Sequence, residues 1–166
     1  EEGDEVLIQR PVYYPFADSI QQQKRVVVNS PLQLRDGRYE IDFADFERKA
    51  ASPRCRAFVL SNPHNPVGRV YTEEELRRVI ADEIHSDLIF PGHQHIVFAS
   101  LGQNYAENCA VFHAPSKTFN LAGLSFSCIM IPNEERRKRF DQMFARYCRA
   151  HPNFFAPVAA KAAWDH

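Results

Sequence analysis

The sequence predicts an α/β domain with a mostly parallel sheet flanked by helices, on three observations. Short apolar runs alternate with helix-forming segments along the whole chain. One run, Ala57-Phe58-Val59-Leu60, is apolar without interruption, the pattern of a parallel strand covered on both faces. Polar clusters stand directly after three apolar runs, and a fourth follows a stub of one, at the carboxyl ends where ligands bind in such sheets.

Val6-Leu7-Ile8-Gln9 reads as a first strand stopped by Arg10-Pro11. Residues 14–23 form a candidate helix, and Arg25-Val26-Val27-Val28-Asn29 a second strand. Asp36-Gly37-Arg38 is a turn signal, after which Phe43, Phe46 and Ala50 keep helical spacing. Residues 57–60 form the next strand and run into a loop of turn formers over 61–68. Thr72-Glu73-Glu74-Glu75 is a capping box that opens a helix. Ala110-Val111-Phe112 and residues 126–131 read as strands. Asn133 caps a long helix with Glu134 and Glu135 in its first turn, where the dipole favours carboxylates. Phe140, Met143, Phe144 and Tyr147 give that helix its apolar spacing, and His151-Pro152 ends it.

The 166 residues are 45% hydrophobic and 25% charged, enough chain for one domain with a real core. A net charge of -1 leaves no field to gather nucleic acid or an anionic membrane, so neither partner is expected. No apolar run is long enough to span a bilayer. Glu1-Glu2-Gly3-Asp4 lacks a signal-peptide pattern. Cys55, Cys109, Cys128 and Cys148 are scattered without a CxxC pair, as in a cytoplasmic protein with reduced thiols.

Five lysines face fifteen arginines, and one lysine is unlike the rest. Lys24, Lys49, Lys138 and Lys161 lie beside charges or in amphipathic runs, as solvated faces do. Lys117, in Ala114-Pro115-Ser116-Lys117-Thr118-Phe119-Asn120, follows an apolar run and precedes a nearly uncharged stretch. Burial there would favour the neutral amine, a nucleophile able to form a Schiff base. The same burial also fits a structural lysine that snorkels to solvent. The other clusters are Pro11-Val12-Tyr13-Tyr14, His64-Asn65-Pro66-Val67-Gly68 and Asp82-Glu83-Ile84-His85-Ser86-Asp87. Their aromatics suit packing or a flat ligand, and Asn65 suits a turn or a ligand oxygen. His85, His93 and His95 lie near Asp82 and Asp87, but the spacings do not match the i, i+4 histidines of metal-binding helices. No metal is expected.

In this order the clusters resemble the large domain of fold-type I pyridoxal-phosphate enzymes, the class I/II aminotransferase family. The wording is closest to the cystathionine β-lyase-like C–S lyase subgroup, the MalY/PatB type. The stretches that carry the resemblance are Asn62-Pro63-His64-Asn65-Pro66-Val67-Gly68-Arg69, Asp82-Glu83-Ile84-His85-Ser86-Asp87, and residues 114–124. It implies the central part of an aspartate aminotransferase-like large domain that binds pyridoxal 5'-phosphate. By the same resemblance Lys117 is the Schiff-base lysine, and Asp82 pairs with the pyridine nitrogen. Asn65 bonds the ring hydroxyl, and His85 occupies a position often held by a tyrosine that bonds the same oxygen. Tyr13 stacks on the ring, and Ser116 lies near the phosphate. Many members carry an arginine eight positions after the lysine; here that residue is Ser125.

The activity implied is β-elimination from a sulfur amino acid such as cystathionine by a cytoplasmic homodimer. Transamination, which shares the first proton abstraction, stays open as the alternative. The family's phosphate loop falls upstream of Glu1 and its substrate-carboxylate arginine downstream of His166, so residues 1–166 are expected to be a partial large domain, inactive alone. The stretch from Thr72 to Asp82 is also too short for a helix, a return loop and a strand, since parallel crossovers need about a dozen residues or more. A segment is therefore expected to be missing between Ile80 and Ala81.

Overall fold

Strand β1 (Glu5–Ile8) is buried at all four positions, because it is paired along both edges. The computed structural model describes residues 1–76, 85–147 and 153–165, and the chain divides into the units Glu1–Ala81 and Asp82–His166. In the first unit β1 is followed by helix α1 (Pro15–Gln22) and strand β2 (Val26–Asn29), as the sequence predicts. The hairpin β3 (Gln33–Arg35) and β4 (Arg38–Glu40), helix α2 (Phe43–Ala50), strand β5 (Cys55–Phe58) and the start of helix α3 (Glu73–Leu76) complete it.

The sheet order is β2-β1-β5, and both pairings are parallel. Alternation along β1 sends Val6 and Ile8 to one face, where they cluster with Ala17 and Ile20 of α1. Leu7 points the other way and lies in register with Phe58. Phe46 of α2 packs edge-on against Phe58 at 5.0 Å, so α2 covers that second face. The one acid in β1, Glu5, is held by Arg54 at 2.6 Å. An arginine beside a shielded carboxylate satisfies a charge that burial would otherwise penalise.

Two local readings are revised. The strand expected at residues 57–60 forms at Cys55–Phe58, and Arg56 and Ala57 are exposed rather than covered on both faces. Its outer edge has no strand partner among the described residues, so burial reaches only the β1 side. The turn at Asp36-Gly37 closes a two-residue β-hairpin, with φ of 48° and 78°. Positive φ at both positions is the demand of a type I′ turn, which Asp-Gly meets at low cost.

In the second unit a 3-10 turn (Phe98–Leu101) leads into helix α4 (Gln103–Glu107) and strand β6 (Val111–His113). The one-turn helix α5 (Pro115–Thr118) follows, then strand β7 (Cys128–Met130), helix α6 (Glu134–Tyr147) and helix α7 (Ala156–Asp165). Strands β6 and β7 pair antiparallel and form a two-stranded sheet of their own within the second unit. Asn133 caps α6 through Oδ1, which accepts the Arg136 N–H at 2.9 Å. The capping box ahead of α3 is reciprocal: Glu75 N–H donates to Thr72 Oγ1 at 3.3 Å, and Thr72 N–H donates to the Glu75 carboxylate at 2.9 Å. The expected helix end at His151-Pro152 and the expected break at Ile80–Ala81 lie outside the described residues.

Leu7 is 0% exposed at the centre of the sheet. In the full-length protein Leu7→Ala is expected to lower unfolding stability by about 2–5 kcal/mol, read from the urea midpoint at an unchanged slope.

Candidate active site

Two loops leave the carboxyl ends of β1 and β5 in the first unit. The loop after β1 carries Tyr13, whose ring is 47% exposed and meets Phe16 edge-on at 5.8 Å. The loop after β5 carries Asn65, held by its main chain: its N–H donates to Ser61 Oγ at 3.3 Å, and Ser61 Oγ donates to the Pro63 carbonyl at 3.1 Å. The Asn65 side-chain amide makes no hydrogen bond among the described residues. Between them in space lies His64, 1% exposed, with Nε2 2.9 Å from the Pro11 carbonyl and Nδ1 2.9 Å from the Tyr71 hydroxyl. Burial, first, and the charge of Arg69 hold this imidazole below the ordinary histidine range, against the pull of the Pro11 and Gln9 carbonyls.

In the second unit Lys117 is the third residue of α5. Ala114 and Pro115 sink into the core, and the helix ends at Thr118, which leaves the Lys117 side chain exposed. The expectation of a buried lysine is thus corrected. A single turn anchored by its first residue has no second turn to bury its last. The amine forms no ion pair among the described residues. His85 is half-buried in the turn that precedes Leu88; burial and then the positive charge of Lys117 hold its imidazole low. Ser116 is half-buried and its carbonyl accepts the Leu121 N–H at 3.2 Å. Asp87 accepts a hydrogen bond from Thr118 Oγ1 at 2.7 Å and lies 3.3 Å from His113 Nε2. That carboxylate fastens the helix of Lys117 to the turn of His85. Asp82 lies outside the described residues.

These side chains suit a flat aromatic aldehyde with a ring hydroxyl. Within the first unit Tyr13 offers a partly exposed aromatic face and Asn65 an amide with no hydrogen bond among the described residues; within the second, taken by itself, His85 offers a half-buried imidazole and Lys117 an exposed amine. Ser125 is exposed in left-handed backbone (φ 51°) and supplies no cation for a phosphate. Two contributors were not legible as such in the sequence. His64 and Asp87 stand inside the motifs, but nothing in the order of residues pairs them with Pro11, Tyr71, Thr118 or His113.

The family model for aminotransferase class I and II matches residues 1–166. The chain belongs to the class I and II aminotransferase family. This family chain is 42% identical over 176 residues to cystathionine beta-lyase PatB of Bacillus subtilis, covering 99% of itself and 46% of PatB. Cystalysin of Treponema denticola, whose crystal structure contains pyridoxal 5'-phosphate, superposes with a TM-score of 0.96 at 36% identity, over 100% of this chain and 45% of cystalysin. The PLP-bound C–S lyase of Staphylococcus hominis gives a TM-score of 0.90 at 35% identity, over 99% of this chain and 44% of that one. The chain therefore spans about half the length of the relatives it matches, and it has their fold.

The two shifted histidines set a pH dependence. On unfolding each regains its ordinary value of 6.5, so below that pH the unfolded chain binds protons that the native chain refuses. Their contribution is full above pH 6.5 and is lost as the pH falls. Asp4, Glu5 and Asp45, held low by hydrogen bonds and nearby cations, act the same way but start from 3.8 to 4.5. The urea midpoint of the full-length protein should fall between pH 7 and about 5.5, and His64→Gln should flatten that fall. An equally steep fall in the variant would assign the dependence elsewhere.

Proposed function

We propose that the full-length protein is a pyridoxal 5'-phosphate-dependent C–S β-lyase that cleaves a sulfur amino acid such as cystathionine to a thiol, pyruvate and ammonia. The observation that carries this reading is the 42% identity to a cystathionine beta-lyase over 99% of the chain. The likeness to a PLP-bound C–S lyase supports it independently. Transamination is the second reading, favoured by the family description itself.

In the proposed reaction Lys117 Nζ would hold the cofactor through its aldehyde and, as a free amine, would take the proton from the substrate α-carbon. Asp82 holds a proton on the pyridine nitrogen. His85 and Asn65 donate to the ring oxygen, Tyr13 orients the ring by its face, and Ser116 meets the phosphate. The cofactor, when bound, supplies an electron sink for the pair left on the α-carbon. A thiolate then leaves the β-carbon, takes up a proton as the free thiol, and water releases the remainder as pyruvate and ammonia. An exposed Lys117 depends on groups outside residues 1–166 to exclude bulk water, which agrees with a chain that is one part of an enzyme.

The reading includes a cytoplasmic homodimer, supported by the resemblance. Among the described residues no helix is long and apolar enough to cross a membrane. The reading also makes residues 1–166 a partial large domain with a segment shortened near Ile80–Ala81. The alignment to PatB runs over 176 residues against a chain of 166, which supports the shortening without locating it.

Lys117→Ala in the full-length protein is expected to abolish the yellow absorbance of the cofactor-loaded enzyme and reduce turnover to background, with unchanged far-UV circular dichroism. Wild-type turnover in that variant would remove Lys117 from the mechanism.

Cystathionine incubated with the loaded enzyme and no keto acid should release pyruvate and free thiol over many turnovers. An aminotransferase would stop after one half-reaction until keto acid was added, and that outcome would select the second reading.

A further inference from the structure

His64 lies deep in the first unit, and the reading above gives it no role. Its two ring nitrogens face chemically different partners. The Pro11 carbonyl, 2.9 Å from Nε2, can only accept, so Nε2 carries a hydrogen. The Tyr71 hydroxyl, 2.9 Å from Nδ1, can do either. Tyr71 is 2% exposed, and burial pushes its phenol up, so the hydroxyl keeps its proton and donates it to Nδ1. The pair admits one tautomer, a neutral ring with hydrogen on Nε2.

The rest of the surroundings hold this pair in place. Tyr71 N–H donates to Asn62 Oδ1 at 3.2 Å, and the main chain of His64 pairs with Arg69 at 2.7 Å. Gly68 closes that small loop at φ 68°, where a side chain would be strained. The guanidinium of Arg69 stands 4.7 Å from the centre of the Tyr71 ring and is ion-paired to Glu75 of the capping box. The titratable and charged groups around His64 are therefore Tyr71, Arg69 and Glu75; Arg69, though ion-paired to Glu75, still disfavours a charged imidazole.

We infer that His64 is a positioning residue: through Pro11 and Tyr71 it locks the loop that carries Tyr13 to the loop that carries Asn65. Pro11 lies two residues before Tyr13, and His64 directly precedes Asn65. Neither loop belongs to a strand at that point, and the His64–Pro11 bond is a direct tie between them. This inference rests on the proposed roles of Tyr13 and Asn65 toward pyridoxal 5'-phosphate. Loss of the tie frees both contacts together, and the Tyr71 hydroxyl matters only because it holds the tautomer.

The test uses the full-length protein titrated with pyridoxal 5'-phosphate and followed by its visible absorbance. Tyr71→Phe keeps the ring and removes one hydroxyl. It is expected to raise the dissociation constant for the cofactor about three- to ten-fold and to broaden or shift the visible band. His64→Ala should do at least as much, and Tyr71→Phe made in addition should add nothing further. Nitrogen-15 shifts of the wild-type imidazole, read without cofactor, should show hydrogen on Nε2 alone at pH 7. A wild-type band with unchanged affinity and band position in both variants overturns the inference while leaving the proposed function standing. A charged ring, or hydrogen on Nδ1, overturns it even if either variant fails to fold. No band in the wild type overturns the proposed function and this inference with it.

Discussion

The pairing of β1 on both edges is the constraint on which the first unit depends. With β2 on one side and β5 on the other, Glu5–Ile8 is buried along its length, and its side chains are apolar apart from the ion-paired Glu5. Helices α1 and α2 are then required on opposite faces, because Val6 and Ile8 point one way and Leu7 the other. The ends of β1 and β5 consequently emerge at the same edge of the sheet. The loops bearing Tyr13 and Asn65 start from that edge, and a parallel sheet of this kind places its ligands there.

In the second unit the short elements carry the chemistry. Helix α5 is one turn long and is pinned by Ala114 and Pro115 on one side and by the Thr118–Asp87 hydrogen bond on the other. Such a helix can present a lysine at a defined place without surrounding it. Nucleophilicity drawn from burial alone does not follow from this arrangement among the described residues. Burial and then the positive charge of Lys117 hold the His85 imidazole low, although the two residues are more than thirty positions apart in the chain.

Identity over nearly the whole chain to a cystathionine beta-lyase and a TM-score of 0.96 to cystalysin agree with the order of the motifs. Ser125 marks a departure that bears on phosphate binding, because an exposed hydroxyl in left-handed backbone replaces a planar cation.

Local signals were legible because they need only near neighbours. The capping box at Thr72, the Asn133 cap, the apolar run at Val6 and the helical spacing of Phe43 and Phe46 each formed as read. The Lys117, Asn65 and His85 motifs were legible as wording, which identifies a family without measuring a distance. What the sequence by itself determined is therefore the α/β class, the family and the main strands and helices, whereas the β3–β4 hairpin and helices α4, α5 and α7 had no local reading. The tertiary structure alone decided that β5 starts two residues early, that β6 and β7 run antiparallel, and that Lys117 is exposed among the described residues. It also decided that His64 bridges Pro11 and Tyr71. Burial and hydrogen-bond pairing are properties of groups distant in the chain, and no spacing of residues encodes which of them meet.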